Sequence, residues 1–315
     1  MPNTMLLLVY GKIIIDSIRL RSGELVRNAL GGGGPQAAFG ARLWGEPVAL
    51  LTRSGSDMEP ELVATLEGLD LDLSGWQRYP DLPTPRGLIE YDEHEQLRGL
   101  GSLTDRGAWF ELLGRPLALS AQHLGAAGIH LVTEFGHEPM AETALQMQQR
   151  GALFSLEPIF EPRSCSDPQA LLELASRADL VTPDWPAATR LAGSEDPVEV
   201  LRFWLDRGPR AVAVRRGSYG SYVLDSRSRR AWHIPPLPVT VVDPTGAGNA
   251  YGGGWFVGWQ HTHDALLAGC YGSAAAVTML GHVGMPPLNE ETRQQATALL
   301  QLAQEQARPL DLRTS

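Results

Sequence analysis

Short apolar runs alternate along this chain with longer stretches whose apolar positions recur at helical spacing. Leu6 to Tyr10, Pro47 to Thr52, Ile129 to Thr133, Leu153 to Leu156, Leu180 to Thr182 and Ala211 to Val214 read as strands. Their near-continuous apolar character is what a strand buried on both faces requires. Between them, Gln36 to Trp44, Glu59 to Leu69, Pro139 to Arg150, Pro168 to Arg177 and Val198 to Arg207 read as helices, and Gly151 and Gly208 stop two of these. Further helical patterns follow Gly248, Asp264 and Asn289. Strands alternating with crossover helices predict an α/β fold with a parallel sheet covered on both faces.

Two stretches break the alternation. Lys12 to Asn28 carries Ile13-Ile14-Ile15 and then alternating polar and apolar residues. Thr84 to Leu103 carries Gly87-Leu88-Ile89-Glu90-Tyr91 and a charged turn at Asp92-Glu93-His94-Glu95. Period-two patterning predicts β-hairpin material in both, forming a small β lid (about 12–28 and 84–103) inserted in one domain over 1–315.

A chain of 315 residues can bury a large core, and 43% hydrophobic with 20% charged residues is ordinary for a soluble globular protein. The net charge of −10 argues against nucleic acid or an anionic membrane as the main partner. Cys165 and Cys270 form no CxxC pair and read as reduced thiols, so a cytoplasmic location is expected. The apolar start lacks a basic leader region and a cleavage site, and no apolar run has the length of a membrane span. The histidines show no His-x-x-x-His spacing, and no structural metal is expected.

The chemistry concentrates at Val241-Val242-Asp243-Pro244-Thr245-Gly246-Ala247-Gly248-Asn249. A strand-like pair, an Asp-Pro turn and a Gly-Ala-Gly step open a small-residue helix. Free N–H groups at such a helix start converge on one point, and the helix dipole favours an anion there. A glycine-rich start used only for close helix packing is the alternative. A second glycine loop, Gly31-Gly32-Gly33-Gly34, runs into Pro35-Gln36-Ala37-Ala38 and Arg42-Leu43-Trp44-Gly45. A third segment, Arg215-Arg216-Gly217-Ser218-Tyr219-Gly220, follows the strand at Ala211 to Val214.

The first of these motifs resembles the signature Asp-Thr-x-Gly-Ala-Gly-Asp of the PfkB/ribokinase family of carbohydrate kinases, and the resemblance runs from Met5 to about Leu300. It implies a ribokinase-like three-layer sandwich with a mostly parallel central sheet. It also implies an ATP- and Mg2+-dependent phosphotransferase acting on a hydroxyl of a sugar-like substrate, with pairing into a homodimer through the lid. Gly246, Ala247 and Gly248 then form the anion hole, and Asn249 stands where the family has its catalytic base. The glycine loop is similar to the family's sugar-binding signature, with Gly32, Gly33 and Gln36 (Asn in the family) as substrate contacts alongside Asp16. Arg215, Gly217 and Gly220 resemble the nucleotide loop, with Thr245 and Ala275 as further nucleotide contacts. The two arginines there suit bidentate contacts to polyphosphate, or equally a solvated pair on a tight turn. Where the family has Asn-x-x-Glu, this chain has Asp184 and Ala187, leaving Asp184 to hold a hydrated Mg2+.

Asn is neutral and accepts no proton, and losing a positioned base costs about 10²–10⁴ in rate. Two functions follow: a kinase with weak turnover, or an inactive pseudokinase that binds nucleotide or sugar as a sensor or regulatory partner. On either reading, Asn249→Asp tests whether only the base is missing.

Overall fold

The computed structural model describes residues 6–20, 22–91, 97–161 and 165–311. The chain begins β1 (Leu7–Tyr10), β2 (Ile14–Arg19), β3 (Leu25–Gly31), α1 (Gly34–Arg42), β4 (Val48–Gly55), α2 (Pro60–Glu67), β5 (Trp76–Tyr79), β6 (Arg86–Tyr91) and β7 (Leu97–Ser102). It continues α3 (Arg106–Gly114), α4 (Ala121–Leu124), β8 (Gly128–Thr133), α5 (Pro139–Gln149), β9 (Leu153–Pro158), α6 (Pro168–Arg177), β10 (Leu180–Val181), α7 (Trp185–Ala192) and α8 (Pro197–Leu205). It closes with β11 (Ala211–Arg215), β12 (Ser221–Asp225), β13 (Ala231–Ile234), α9 (Ala247–Thr262), α10 (Ala265–Leu280), α11 (Glu290–Gln306) and β14 (Arg308–Leu310).

Ten strands form one sheet in the order β14-β13-β12-β11-β10-β9-β8-β1-β4-β5. From β5 to β11 the neighbours are parallel, as the alternation predicts. The remaining edge is antiparallel, from β11 through β12 and β13 to β14, and the sequence pattern did not anticipate it. Period-two geometry sends alternate residues of β1 to opposite faces. Leu8 and Tyr10 join a core with Met140 of α5, Leu171 of α6 and Trp204 of α8. Leu7 and Val9 join another with Ala38 of α1, Phe256 of α9 and Ala268 of α10. These are the three layers.

The second layer depends on close approach of helices. A Cβ on Gly253 of α9 would overlap the carbonyl of Ala37 in α1. Gly40 of α1 meets the Ala250 carbonyl in the same way. The glycine-rich turns of α9 therefore pack α1 and α9 backbone to backbone, which fixes the helix start against the glycine loop.

The two segments read as a lid form a separate four-stranded sheet, β3-β2-β6-β7. β2 is antiparallel to β3 and parallel to β6, and β6 is antiparallel to β7. β3 runs through Gly31, past the expected boundary, and the charged turn at 92–95 lies outside the described residues. No helix among the described residues is long and apolar enough to cross a membrane. Both cysteines are buried and free.

Candidate active site

A cavity of about 480 Å³ opens between the small sheet and the carboxyl ends of β1, β8 and β9. This is where parallel α/β sheets place ligands. Its lining includes Lys12 after β1, Asp16 of β2, Gly31 to Gly33, Gln36, Glu134 after β8, and Thr245, Gly246 and Asn249 from the start of α9. The sugar-side residues expected from sequence thus share one cavity with the helix start.

Asp16 is almost fully buried. Any side chain at Gly31 or Gly87 would collide with its carboxylate, so two glycines leave it room between the strands. Burial, opposed by Lys12 and reinforced by Asp243, pushes the Asp16 carboxyl up to about 7. Lys12 is ion-paired with buried Glu134, whose other oxygen has no partner. Gln36 donates from Nε2 to the Leu30 carbonyl at 2.5 Å, and its buried Oε1 is left without a donor. Gln36 is among the residues lining the cavity, and its unsatisfied amide oxygen is a free acceptor within that wall.

Gly246 caps α9 in the left-handed region, with φ 78. The Ala250 N–H is donated to the Gly246 carbonyl. The N–H groups of Gly248 and Asn249 have no partner among the described residues and are the donors an oxyanion would meet. Asp243, buried, accepts from the N–H of Thr245 (2.9 Å) and of Gly284 (3.1 Å) and so shapes the turn. With both oxygens engaged, it is a scaffold for the cradle.

Behind the cradle lies a cluster that the motifs did not reveal. Glu157 of β9, 2% exposed, accepts at Oε1 from Asn249 Nδ2 (2.9 Å) and from Arg215 Nη1 (2.6 Å). Its Oε2 lies 3.6 Å from His130 Nε2, and His130 Nδ1 meets Ser155 Oγ at 2.9 Å. Asn249 therefore faces the cavity on one side and a carboxylate on the other.

The two adjacent arginines separate, because successive residues of an extended chain point opposite ways. Arg215 turns to Glu157 and α9. Arg216 lies 4.0 Å over the Trp185 ring and 4.8 Å over that of Tyr219, and donates to the Tyr222 hydroxyl. Gly217 and Gly220 sit in the positive-φ turn beside them.

Three of the residues expected from sequence also have structural roles in the folded chain. Ala275 is wholly buried in a cluster with Phe39, Leu43, Ala250 and Met279, where its small size serves helix packing. Thr245 lines the same cavity as Asp16, its hydroxyl 3.1 Å from that of Tyr91 in the small sheet. Asp184 caps α7, Oδ1 accepting from the Ala187 N–H at 3.2 Å. That oxygen is engaged in capping, and Ala187 offers only a methyl beside it. Among the described residues, no group of three or more His, Cys, Asp and Glu is placed to hold a metal.

Sequence reasoning also missed Lys12, Glu134 and the aromatic wall of Trp109, Phe110 and Phe135. Glu134 and Glu157 were findable: each ends an apolar run at the carboxyl end of a parallel strand.

The chain matches the pfkB family carbohydrate kinase domain over residues 5–292. It is 26% identical over 254 residues to the cytidine kinase of Thermococcus kodakarensis, covering 81% of this chain and 88% of that one. Among solved structures it resembles a putative ribokinase II from E. coli in complex with ATP and Mg2+ (TM-score 0.75, 20% identity, covering 95% of this chain and 99% of that one). It also resembles a Burkholderia thailandensis nucleoside kinase in complex with inosine (TM-score 0.71, 20% identity, covering 96% and 98%). These neighbours share its ribokinase-like fold, and on the strength of the domain match the chain belongs to the pfkB family of carbohydrate kinases.

Proposed function

We propose that the protein transfers the terminal phosphoryl group of ATP to a hydroxyl of a ribose-bearing or related sugar-like substrate. The observation that carries this reading is one cavity lined at once by a buried carboxylate, Asp16, and by the start of α9 with its free N–H groups. The acceptor oxygen bonds to the γ-phosphorus, and the bond from phosphorus to the ADP oxygen breaks with its electron pair left on ADP. The hydroxyl proton passes to Asp16, whose carboxyl takes up protons near neutrality. Such transfer rests chiefly on positioning and electrostatic stabilisation, which the amides of Gly248 and Asn249 supply. A neutral residue at 249 is compatible with it.

A nucleoside is favoured as acceptor by the aromatic wall. Trp109, Phe110 and Phe135 line the cavity, and the rings of Phe110 and Phe135 meet edge to face at 6.2 Å. A base offers a flat π face to such a wall, whereas a simple hexose does not. The test is ATP consumption across nucleosides, free sugars and sugar phosphates, with light scattering on the same samples to check the homodimer expected through the lid. Turnover with nucleosides is expected. No turnover on any acceptor, in protein shown to be folded, refutes the kinase reading. Ligand binding without turnover supports the second reading, a sensor or regulatory pseudokinase, which the neutral Asn249 favours.

A further inference from the structure

The Arg215 guanidinium sits at the wrong end of a helix. A cation is unfavourable beside a helix N-terminus, where the dipole is positive. Yet Nη1 lies only 2.6 Å from the position a Cβ on Gly248 would take. The guanidinium thus lies directly against the second residue of α9, beside the unpartnered N–H groups. Glu157 holds it there through the 2.6 Å pair, and the Nε of Arg215 is buried with no partner among the described residues. One carboxylate oxygen does not satisfy five N–H donors. The arrangement sets an unsatisfied guanidinium donor beside the unpartnered N–H groups of the helix start.

Two further observations say which anion it suits. Arg216 is turned away onto Trp185 and Tyr219, so Arg215 alone of this pair addresses the helix start. The segment that would supply a metal ligand offers a helix-capping Asp184 and the methyl of Ala187 instead. The guanidinium is a fixed cationic group beside the helix start, held by Glu157.

We infer that Arg215 is a built-in phosphate clamp. Its guanidinium binds the terminal phosphoryl group of ATP, is held in place by Glu157, and supplies a permanent positive charge that lessens dependence on a divalent cation. This rests on the phosphotransferase reading above, and it adds a specific discrimination. A clamp on the terminal group favours ATP over ADP even without a metal ion.

The experiment is titration calorimetry with ATP and ADP, in EDTA and again in excess Mg2+, on wild type, Arg215→Met and Arg215→Lys. Wild type is expected to prefer ATP in EDTA. Arg215→Met should weaken ATP by about tenfold or more, the loss of a charge-assisted bidentate contact, while ADP changes by less than about threefold. Arg215→Lys keeps charge without the fork and should fall between. Mg2+ should recover part of the lost ATP affinity in Arg215→Met. The proposal is overturned if both variants bind ATP as wild type does, or if they lose ATP and ADP in equal proportion. It is equally overturned if both variants fail to fold, since Arg215 then belongs to the framework alone. Nucleotide binding that survives intact in the variants sinks the clamp and leaves the phosphotransferase reading standing. Folded wild type that binds neither nucleotide sinks both.

Discussion

Asn249→Asp recreates the residue that the family signature carries, and on sequence grounds it should restore a base. The structure predicts a different outcome. Asn249 Nδ2 donates to Glu157 Oε1 at 2.9 Å, with Glu157 2% exposed. The substitution removes that donor, which is worth about 1.5–3 kcal/mol when the acceptor is charged. It also sets a second carboxylate against the first. At this separation and an effective dielectric near 20, the repulsion between two full charges is about 6 kcal/mol. That is a ceiling, because the pair escapes by binding a proton. The escape is limited by pH: keeping the introduced carboxyl protonated at pH 7 against an ordinary value near 3.9 costs about 4 kcal/mol. A carboxyl raised in the folded state binds more protons folded than unfolded, so stability falls as pH rises through the window between the two values. The variant should therefore be destabilised by about 2–4 kcal/mol relative to wild type at pH 7, with the gap narrowing toward pH 4. Denaturant unfolding across that range measures it, with ATP turnover measured in parallel. Adding Glu157→Gln should restore most of the stability, because an amide at position 157 can donate to a carboxylate at position 249. An Asn249→Asp variant as stable as wild type at pH 8 and about tenfold more active would refute this reasoning.

Two other substitutions probe the cavity. Asp16 is raised by burial to about 7, so the folded protein holds its proton and wild type loses stability as pH climbs from about 4 to about 7. Asp16→Asn removes this dependence, and its stability relative to wild type should grow across that window by up to about 4 kcal/mol. Thermal or urea denaturation at three pH values checks it, and a flat difference would count against a buried, proton-holding carboxyl. Trp109→Ala should raise KM for nucleosides by about tenfold or more, the scale of one lost base-stacking contact, while leaving KM for free sugars within about twofold. Equal losses for both substrate classes would show that the aromatic wall does not read a base.

The central strands were legible because burial on both faces demands uninterrupted apolar runs, and Leu7–Tyr10 and Ala211–Arg215 provide them. The antiparallel edge was not. β13 and β14 pair His233 with Arg308 across a long stretch of chain, and nothing local in Ala-Trp-His-Ile or Arg-Pro-Leu specifies a partner. α3 was missed for a different reason. Its apolar face closes a ligand cavity, so its pattern is weak, and only Asp105, accepting from the Ala108 N–H at 3.0 Å, marks its start. α7 carried a clear signal, an Asp cap followed by Pro186 inside the first turn.

Asn249 shows where a linear reading reaches its limit. Taken alone, an amide in place of a carboxylate is a lost base and nothing more. In the folded chain the amide lies one hydrogen bond from Glu157, so a carboxylate remains near the start of α9, behind the side chain that faces the cavity and paired with Arg215. That displacement alters what the charge can do. In front it would take a proton from a hydroxyl; behind, it holds the Arg215 guanidinium beside the helix start. On the phosphotransferase reading proposed above, the emphasis of the site shifts from activating the acceptor to holding the phosphoryl donor. Any account of turnover must therefore begin from residues 157, 215 and 249 together. No one-dimensional motif joins a strand end, the loop after β11 and a helix start, and the sheet that brings the three together is what makes the exchange visible.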